Sequence, residues 1–382
     1  MFDVSGDFLR VQLIASAFMP TWGTPRTGGC HADGGVRGPS GYTGRMKHPS
    51  EEPSLPAPRG PLSGAVTDRL RGTGPLPSDD EIAAAPVYGD DLQLALYLCY
   101  ELHYRGFAGV APELEWDPEL LRVRGALERR FLAALRADAH RHDRLDDALA
   151  DILVEPVDGT GVSHFLRDKG ELWHLREYAA QRSLYHLKEA DPHAWVLPRL
   201  WGRAKAAMAA VEFDEYGGGR ADRVHAELFA GLMRDLGLDT TYGRYLDAAC
   251  AELLVTVNLM SLFGLHRSLR GALVGHFATV EITSSPGSRR LAEAMRRTGA
   301  GPAAVHFYDE HVEADAVHEQ VVRHDVIGGL LEAEPHLEAD IAFGVDATVF
   351  VEDRLGDRLL ADWNAGRSSL RTPEAREFTH TS

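Results

Sequence analysis

The chain contains little cysteine. Only Cys30, Cys99 and Cys250 occur among its 382 residues, and no two of them form a Cys-x-x-Cys pair. A set of disulfides and a thiolate metal site are therefore not expected. The sequence indicates a reducing compartment, which we take to be the cytoplasm.

Basic residues and long apolar runs are also scarce. Lys and Arg number 40 against 57 Asp and Glu, so the formal net charge is −17. We do not expect so acidic a chain to bind nucleic acid or an anionic membrane. No apolar run reaches the roughly 18 residues that a membrane-spanning helix requires.

The first 85 residues differ in composition from the rest of the chain. They are rich in Gly, Pro, Ser and Arg, as in PSEEPSLPAPRGPLS, and contain few apolar residues. Such a segment buries too little apolar surface to offset the entropy lost on folding. Residues 1–85 are therefore predicted to be a disordered tail.

From about Val87 onward the pattern is helical. Apolar residues recur at i, i+3, i+4 and i+7 in one segment after another, and short Gly/Pro/Asp turns separate them. This spacing predicts an all-α protein with antiparallel helices. We expect an N-terminal helical layer at residues 86–165, a main helical domain at 166–365 and a tail at 366–382. Residues 339–355 give the one hint of a short strand.

Two Asp-x-x-His motifs, each preceded by a glutamate, stand out. Asp222 and His225 follow Glu189, and Asp315 and His318 follow Glu281. The Glu-to-Asp separations are 33 and 34 residues. Residues three apart share one face of a helix. A Glu plus a carboxylate-x-x-His pair, present twice, is the ligand pattern of di-iron helical proteins, and mixed carboxylate and imidazole ligands suit iron or manganese.

The second set carries the stronger signal. His311, Asp315 and His318 lie at i, i+4 and i+7, along one stripe of one predicted helix. An unpaired buried Asp is costly, so packing alone explains this stripe poorly. The alternative is a solvated polar face with a hydrogen-bonded His–Asp pair. Glu281 lies among apolar residues and is expected to be either paired or a ligand.

The first set leaves more alternatives open. A helix break at Gly217–Gly219 could swing Glu215 towards His225, with Glu212 and Asp214 as rivals. Asp191 and His193, close to Glu189, are candidates for supporting hydrogen bonds or helix caps. A competing motif, Glu171-x-x-His174, has no second copy in the chain, and we interpret it as chance.

The order Glu, carboxylate-x-x-His, Glu, His-x-x-x-Asp-x-x-His resembles the haem-oxygenase-like di-iron oxidases and oxygenases, in particular their iron-containing redox enzyme branch. The resemblance covers roughly residues 87–365 and is most specific in HVEADAVH and DEYGGGR. It implies a haem-oxygenase-like bundle of about seven to eight helices with an N-terminal helical extension. By this resemblance the iron ligands or their carboxylate neighbours are Glu189, Glu215, Asp222, His225, Glu281, His311, Asp315 and His318. Asp222 departs from the pattern, since relatives often have Glu there.

The resemblance also implies a function. It predicts an O2-dependent oxidase or oxygenase with two Fe ions, an external electron donor and a small substrate such as an amine, amino acid or fatty acid. A homodimer is left open. Two alternatives come from other classes. One is a metal-free helical binding protein, like thiamine-degrading relatives that use a cysteine nucleophile, for which only Cys250 qualifies. The other is an iron-handling protein without turnover.

Overall fold

The computed structural model describes residues 52–139, 141–155 and 159–371, and these ranges contain helices and turns but no strand. The all-α prediction is thereby confirmed. The α-helices in chain order are α1 (Pro61–Leu70), α2 (Asp79–Ala84), α3 (Asp90–Glu101), α4 (Pro118–Asp138), α5 (Leu145–Leu153), α6 (Val162–Asp168), α7 (Leu172–His186), α8 (Asp191–Ala194), α9 (Gly202–Glu215), α10 (His225–Asp235), α11 (Ala251–Leu265), α12 (Arg270–Thr298), α13 (Pro302–Val321), α14 (Gly328–Ala333) and α15 (Glu338–Asn364). A π-helical turn, Val322–Ile327, joins α13 to α14.

Ten α-helices, α6 to α15, form the main helical region of the described chain, and seven of them are long. The long ones are α7, α9, α10, α11, α12, α13 and α15. The central helix α12 packs along both α13 and α15, and α10 packs against α13 and α7. A Cβ on Gly275 would collide with the backbone of Ile341, and one on Gly344 with that of Ala272. Glycine at these two positions therefore lets α12 and α15 cross at close range.

The expected short strand at residues 339–355 is wrong, because this segment lies in α15. Ile341, Val345 and Thr348 are buried at i, i+4 and i+7, which is a helical period. Packing of this face against α12 outweighs the β propensity of the branched side chains.

The prediction of a disordered tail over residues 1–85 is wrong for residues 52–85. Helix α1 packs against α3, and its side chains Leu62, Val66 and Leu70 are buried, as is Ile82 of α2. The prediction used the average composition of the segment and so missed the helical i, i+4, i+8 spacing of Leu62, Val66 and Leu70. Residues 1–51 lie outside the described residues, so the prediction stays untested there.

The N-terminal layer therefore begins before residue 86. Its helices α1 to α4 share one continuous hydrophobic core with the main bundle, chiefly through α3 against α11. At the other end, Ser369 and Leu370 of the expected C-terminal tail are buried, and Ser369 donates hydrogen bonds to Glu177. Residues 372–382 lie outside the described residues. Among the described residues, no helix has the length and apolar character needed to cross a bilayer.

Leu62→Ala should lower the free energy of unfolding by about 2–5 kcal/mol, because it leaves a cavity beneath α1. Asp68→Ala, an exposed change on the same helix, should alter it by less than about 0.5 kcal/mol. Chemical denaturation of the two variants is the measurement. An unchanged midpoint in Leu62→Ala would show that residues 52–85 do not contribute to the core.

Candidate metal centre

Seven of the eight predicted ligands converge in the interior of the bundle. One group is Glu189, His225 and His311, and the other is Glu215, Glu281, Asp315 and His318. Within each group, one candidate ligand atom from every residue lies within 4.8 Å of the others. All seven side chains are buried. The residues come from α9, α10, α12, α13 and the turn that follows α7.

Helix α13 supplies three of the seven. Its spacing of four and three residues puts His311, Asp315 and His318 on the buried face, while Glu313 and Val317 point outward to solvent. The stripe predicted from the sequence is therefore a buried stripe and not a solvated face. The π-helical turn follows it directly, a feature that often accompanies functional sites.

The second group is centred on His318. Its Nδ1 lies 3.2 Å from Glu281 Oε2, 3.5 Å from Glu215 Oε1 and 3.9 Å from Asp315 Oδ1. Glu215 is the last residue of α9, and Glu281 lies in the middle of α12. The Glu281 side chain that was expected to be paired or a ligand thus faces a histidine and two other carboxylates.

The first group is oriented by a backbone contact. His311 Nδ1 donates a hydrogen bond to the Phe307 carbonyl over 2.7 Å, and since a carbonyl only accepts, Nδ1 carries the proton. The other ring nitrogen, Nε2, lies 3.7 Å from Glu189 Oε1. Metal-bound histidines are commonly fixed in this way through their other ring nitrogen.

His225 connects the two groups. It is the first residue of α10, its ring centroid lies 4.5 Å from that of His311, and its Nδ1 lies 2.8 Å from Glu215 Oε2. Three successive glycines with positive φ, Gly217–Gly219, turn the chain between α9 and α10. The helix break predicted at these glycines is confirmed, and it brings Glu215 to His225.

Several polar atoms in these two groups have no hydrogen-bond partner although they are buried. They are Glu189 Oε2, His311 Nε2 and Asp315 Oδ2. A buried polar atom without a partner destabilises the fold unless something else satisfies it. Carboxylate oxygens and imidazole nitrogens are the donors that iron and manganese take, so the residues fit a pair of such ions.

The pKa values reflect the concentration of negative charge in this cluster. Burial, with the neighbouring carboxylates Asp315 and Glu215, raises the pKa of Glu281 to about 7. Burial also raises the pKa of Asp315. Burial acts to lower the pKa of His311, but the nearby carboxylates, Glu189 foremost, outweigh it and raise the pKa to about 10. Cations are therefore favoured in this cluster.

Asp222 is the one predicted ligand that the structure does not bring to the centre. Its side chain is 72% exposed and forms an ion pair with Arg220 at 3.0 Å. It lies in a 3₁₀ turn, and α10 begins only at His225. Asp222 and His225 therefore do not share a helix face, and the expected Asp-x-x-His geometry is wrong for the first set.

The rival residues differ in what they contact. Asp214 is exposed and lies 3.4 Å from His318 Nε2. Glu212 is buried, and neither of its carboxylate oxygens has a hydrogen-bond partner. Burial, together with the charges of Glu215 and Glu281, raises the pKa of Glu212 to about 9. Its spacing of three residues from Glu215 placed it on the same face, but the sequence offered no means of ranking the two.

Two other sequence candidates have structural roles. Glu171 and His174 close the N-terminus of α7 in a reciprocal capping arrangement, with the Glu171 N–H donating to His174 Nδ1 over 2.9 Å. This accords with the interpretation of that motif as chance. Cys250 is buried at the start of α11, and burial raises the pKa of its thiol to about 12. A thiol held protonated in this way is a poor nucleophile.

A cavity of about 640 Å³ adjoins the cluster. Its wall includes Glu189, Glu215, Glu281, His311 and Asp315 together with apolar and aromatic side chains such as Phe277, Leu291, Phe307 and Tyr308. A cavity of this size accommodates a small organic molecule beside the cluster.

Comparison with known proteins agrees with this geometry. Residues 176–353 match the family described as iron-containing redox enzymes. Over 147 residues, 38% of this chain, the sequence is 26% identical to nitrosourea synthase from Streptomyces achromogenes subsp. streptozoticus. The chain spans about a third of that relative's length, since the match covers 31% of it. The resemblance to iron-containing redox enzymes is thereby confirmed over residues 176–353.

Asp222→Ala should leave metal content unchanged, because the side chain is exposed and far less enclosed than the seven clustered residues. Asp315→Ala should lower it, since Asp315 is buried in the centre. Iron per chain after anaerobic Fe²⁺ loading and desalting measures both. Equal losses in the two variants would mean that the 217–224 segment rearranges to bring Asp222 to the metal.

Proposed function

We propose that this chain, which carries an iron-containing redox enzyme domain, is an O2-dependent non-haem di-iron oxidase or oxygenase that acts on a small organic substrate. The observation that supports it best is the pair of buried ligand groups with unpartnered donor atoms beside a cavity. A buried cluster of histidines and carboxylates is costly in a helical core unless cations neutralise it.

The two groups would each hold one iron ion. Glu189, His225 and His311 would hold one, and Glu215, Glu281, Asp315 and His318 the other. The four carboxylates then match the charge of two divalent cations. When bound, the iron pair would supply the oxidation and reduction chemistry, including the activation of O2.

The surrounding residues define the environment of the reaction. The Phe307 carbonyl holds the proton of His311 at Nδ1 and so keeps Nε2 directed towards Glu189. Phe277, Leu291 and Phe307 contribute apolar surface to the cavity wall. Arg182, a cavity-lining residue, forms a bidentate ion pair with Glu352. It is therefore already engaged and not a free clamp for a substrate carboxylate.

The size of the cavity limits the substrate to small organic molecules. The cavity fits a molecule the size of an amine, an amino acid or part of a fatty acid chain. Insertion of a single oxygen atom of O2 into such a substrate needs additional electrons from an external donor, whereas an oxidase reaction takes its electrons from the substrate. The alternative of a metal-free binding protein predicts no bound iron. The alternative of an iron-handling protein predicts bound iron without substrate-dependent O2 consumption.

His311→Ala, Asp315→Ala and His318→Ala should each abolish the reaction of the Fe²⁺-loaded protein with O2, because each removes a ligand. Wild-type protein is expected to bind about two iron ions per chain. Stopped-flow absorbance after mixing with O2 gives the rate, and far-ultraviolet circular dichroism should show that the helices persist.

Glu171→Ala is the matched control for these variants. It alters a carboxylate-x-x-His motif that caps α7 and lies outside the cluster, so its metal content and O2 reactivity should equal those of wild type. Wild-type protein that binds no iron, aerobically or anaerobically, would contradict the proposed function. Full O2 reactivity in all three ligand variants would show that the stripe on α13 is structural.

A further inference from the structure

Glu189 is the one clustered residue presented by a turn between helices rather than by a helix or its first or last residue. Helix α7 ends at His186, and the short helix α8 begins at Asp191. Ala190, directly after Glu189, has a φ of 74°, and it is the one non-glycine residue with positive φ among those that the structure describes. A backbone strained in this way persists only where the surroundings hold it firmly.

Lys188, directly before Glu189, is held by a fully buried ion pair. Its Nζ lies 2.9 Å from Glu101 Oε2, and the two side chains are 1% and 0% exposed. The ammonium also lies 4.1 Å from the centroid of the Tyr104 ring. Tyr242 donates a hydrogen bond to Glu101 Oε1 over 2.7 Å, so both carboxylate oxygens are engaged.

A second contact from the same region holds Leu187. Arg105 Nη2 donates to the Leu187 carbonyl over 2.9 Å, and the Arg105 guanidinium lies 4.1 Å from the centroid of the Tyr242 ring. Glu101 is the last residue of α3, and Arg105 follows in the next turn. The two residues that precede Glu189 are therefore both fixed by the C-terminal end of α3.

A buried ion pair is a poor choice if stability alone is required. Removing two charges from water costs free energy that their attraction often fails to recover, and a well-packed apolar pair of similar volume commonly does as well or better. The position of the Glu101–Lys188 ion pair indicates a role other than stability. It fixes the backbone one residue from Glu189, in a turn that is strained and that no regular helix supports.

We propose that the Glu101–Lys188 ion pair positions Glu189 for metal binding, and that the N-terminal helical layer thereby completes the metal centre. Glu101 and Arg105 both lie outside residues 176–353, the segment that matches the iron-containing redox enzymes. The inference rests on the proposed function, because it takes Glu189 as a ligand. Lys188 and Glu101 touch no metal in this account and act only through the backbone of the turn.

The test removes both charges together, since either one left alone would be buried without a partner. In Glu101→Gln/Lys188→Met, Gln still accepts from Tyr242 and Met fills the space of the lysine stem. We expect a folded protein that binds one Fe²⁺ as wild type does and the other about 10- to 100-fold more weakly, the range for losses of supporting contacts around a metal. Anaerobic equilibrium dialysis with Fe²⁺ gives both affinities, and thermal melting reports folding separately.

Two further variants test whether the effect acts through Glu189. In a Glu189→Gln background the double substitution should weaken binding no further, because the ligand it positions is already lost. Arg270→Met/Glu334→Gln removes another largely buried ion pair of the main domain. It should change the melting temperature but neither Fe²⁺ affinity, so it controls for a general loss of stability.

The outcomes separate the two proposals. Wild-type affinities at both sites in the folded double variant would overturn the positioning role and leave the metal centre intact. An equal loss at both sites, or an additive loss in the Glu189→Gln background, would overturn it as well. Wild-type protein that binds no Fe²⁺ would instead overturn the proposed function on which this inference rests.

Discussion

The burial of four carboxylates close to one another is the main physical constraint on this fold. Glu189, Glu215, Glu281 and Asp315 lie together in the interior, accompanied by three histidines and by no lysine or arginine within their groups. An apolar core does not tolerate such a set unless cations or protons neutralise it. Glu189, His311 and Asp315 each have a buried polar atom without a hydrogen-bond partner, which supports the cation sites that we propose.

The packing of the helices holds these carboxylates and histidines in place. The close crossing of α12 and α15 at Gly275 and Gly344 fixes the central helix that carries Glu281. Its long contact with α13 sets Glu281 opposite His318. The glycine turn at Gly217–Gly219 returns the chain so that the end of α9 meets the start of α10. Helices thus hold most of the clustered residues, and Glu189 alone among them lies in a turn between helices.

Local spacing explains what could be predicted from the sequence. His311, Asp315 and His318 lie on one helix, so the period of 3.6 residues sufficed to place them together. Glu281 was recognisable because a carboxylate among apolar residues needs a partner. The prediction failed at Asp222 because spacing of three implies a shared face only inside a helix, and α10 begins three residues later.

Long-range contacts explain what could not be predicted. Residues 52–85 looked too polar to fold, yet Leu62 and Val66 find their partners on α3. The contact of Lys188 with Glu101 spans 87 residues, and no local pattern in the sequence indicates it. Glu212 and Glu215 are equivalent in spacing, and only the three-dimensional path of the glycine turn distinguishes the residue that meets His225.

A crystal structure of the anaerobically Fe²⁺-loaded protein, with anomalous diffraction recorded at the iron absorption edge, would locate the bound iron. Two anomalous peaks per chain are expected. One should lie among Glu189, His225 and His311, and the other among Glu215, Glu281, Asp315 and His318. Density that shows these side chains hydrogen-bonded to one another or to water, with no anomalous peak among them, would contradict this expectation.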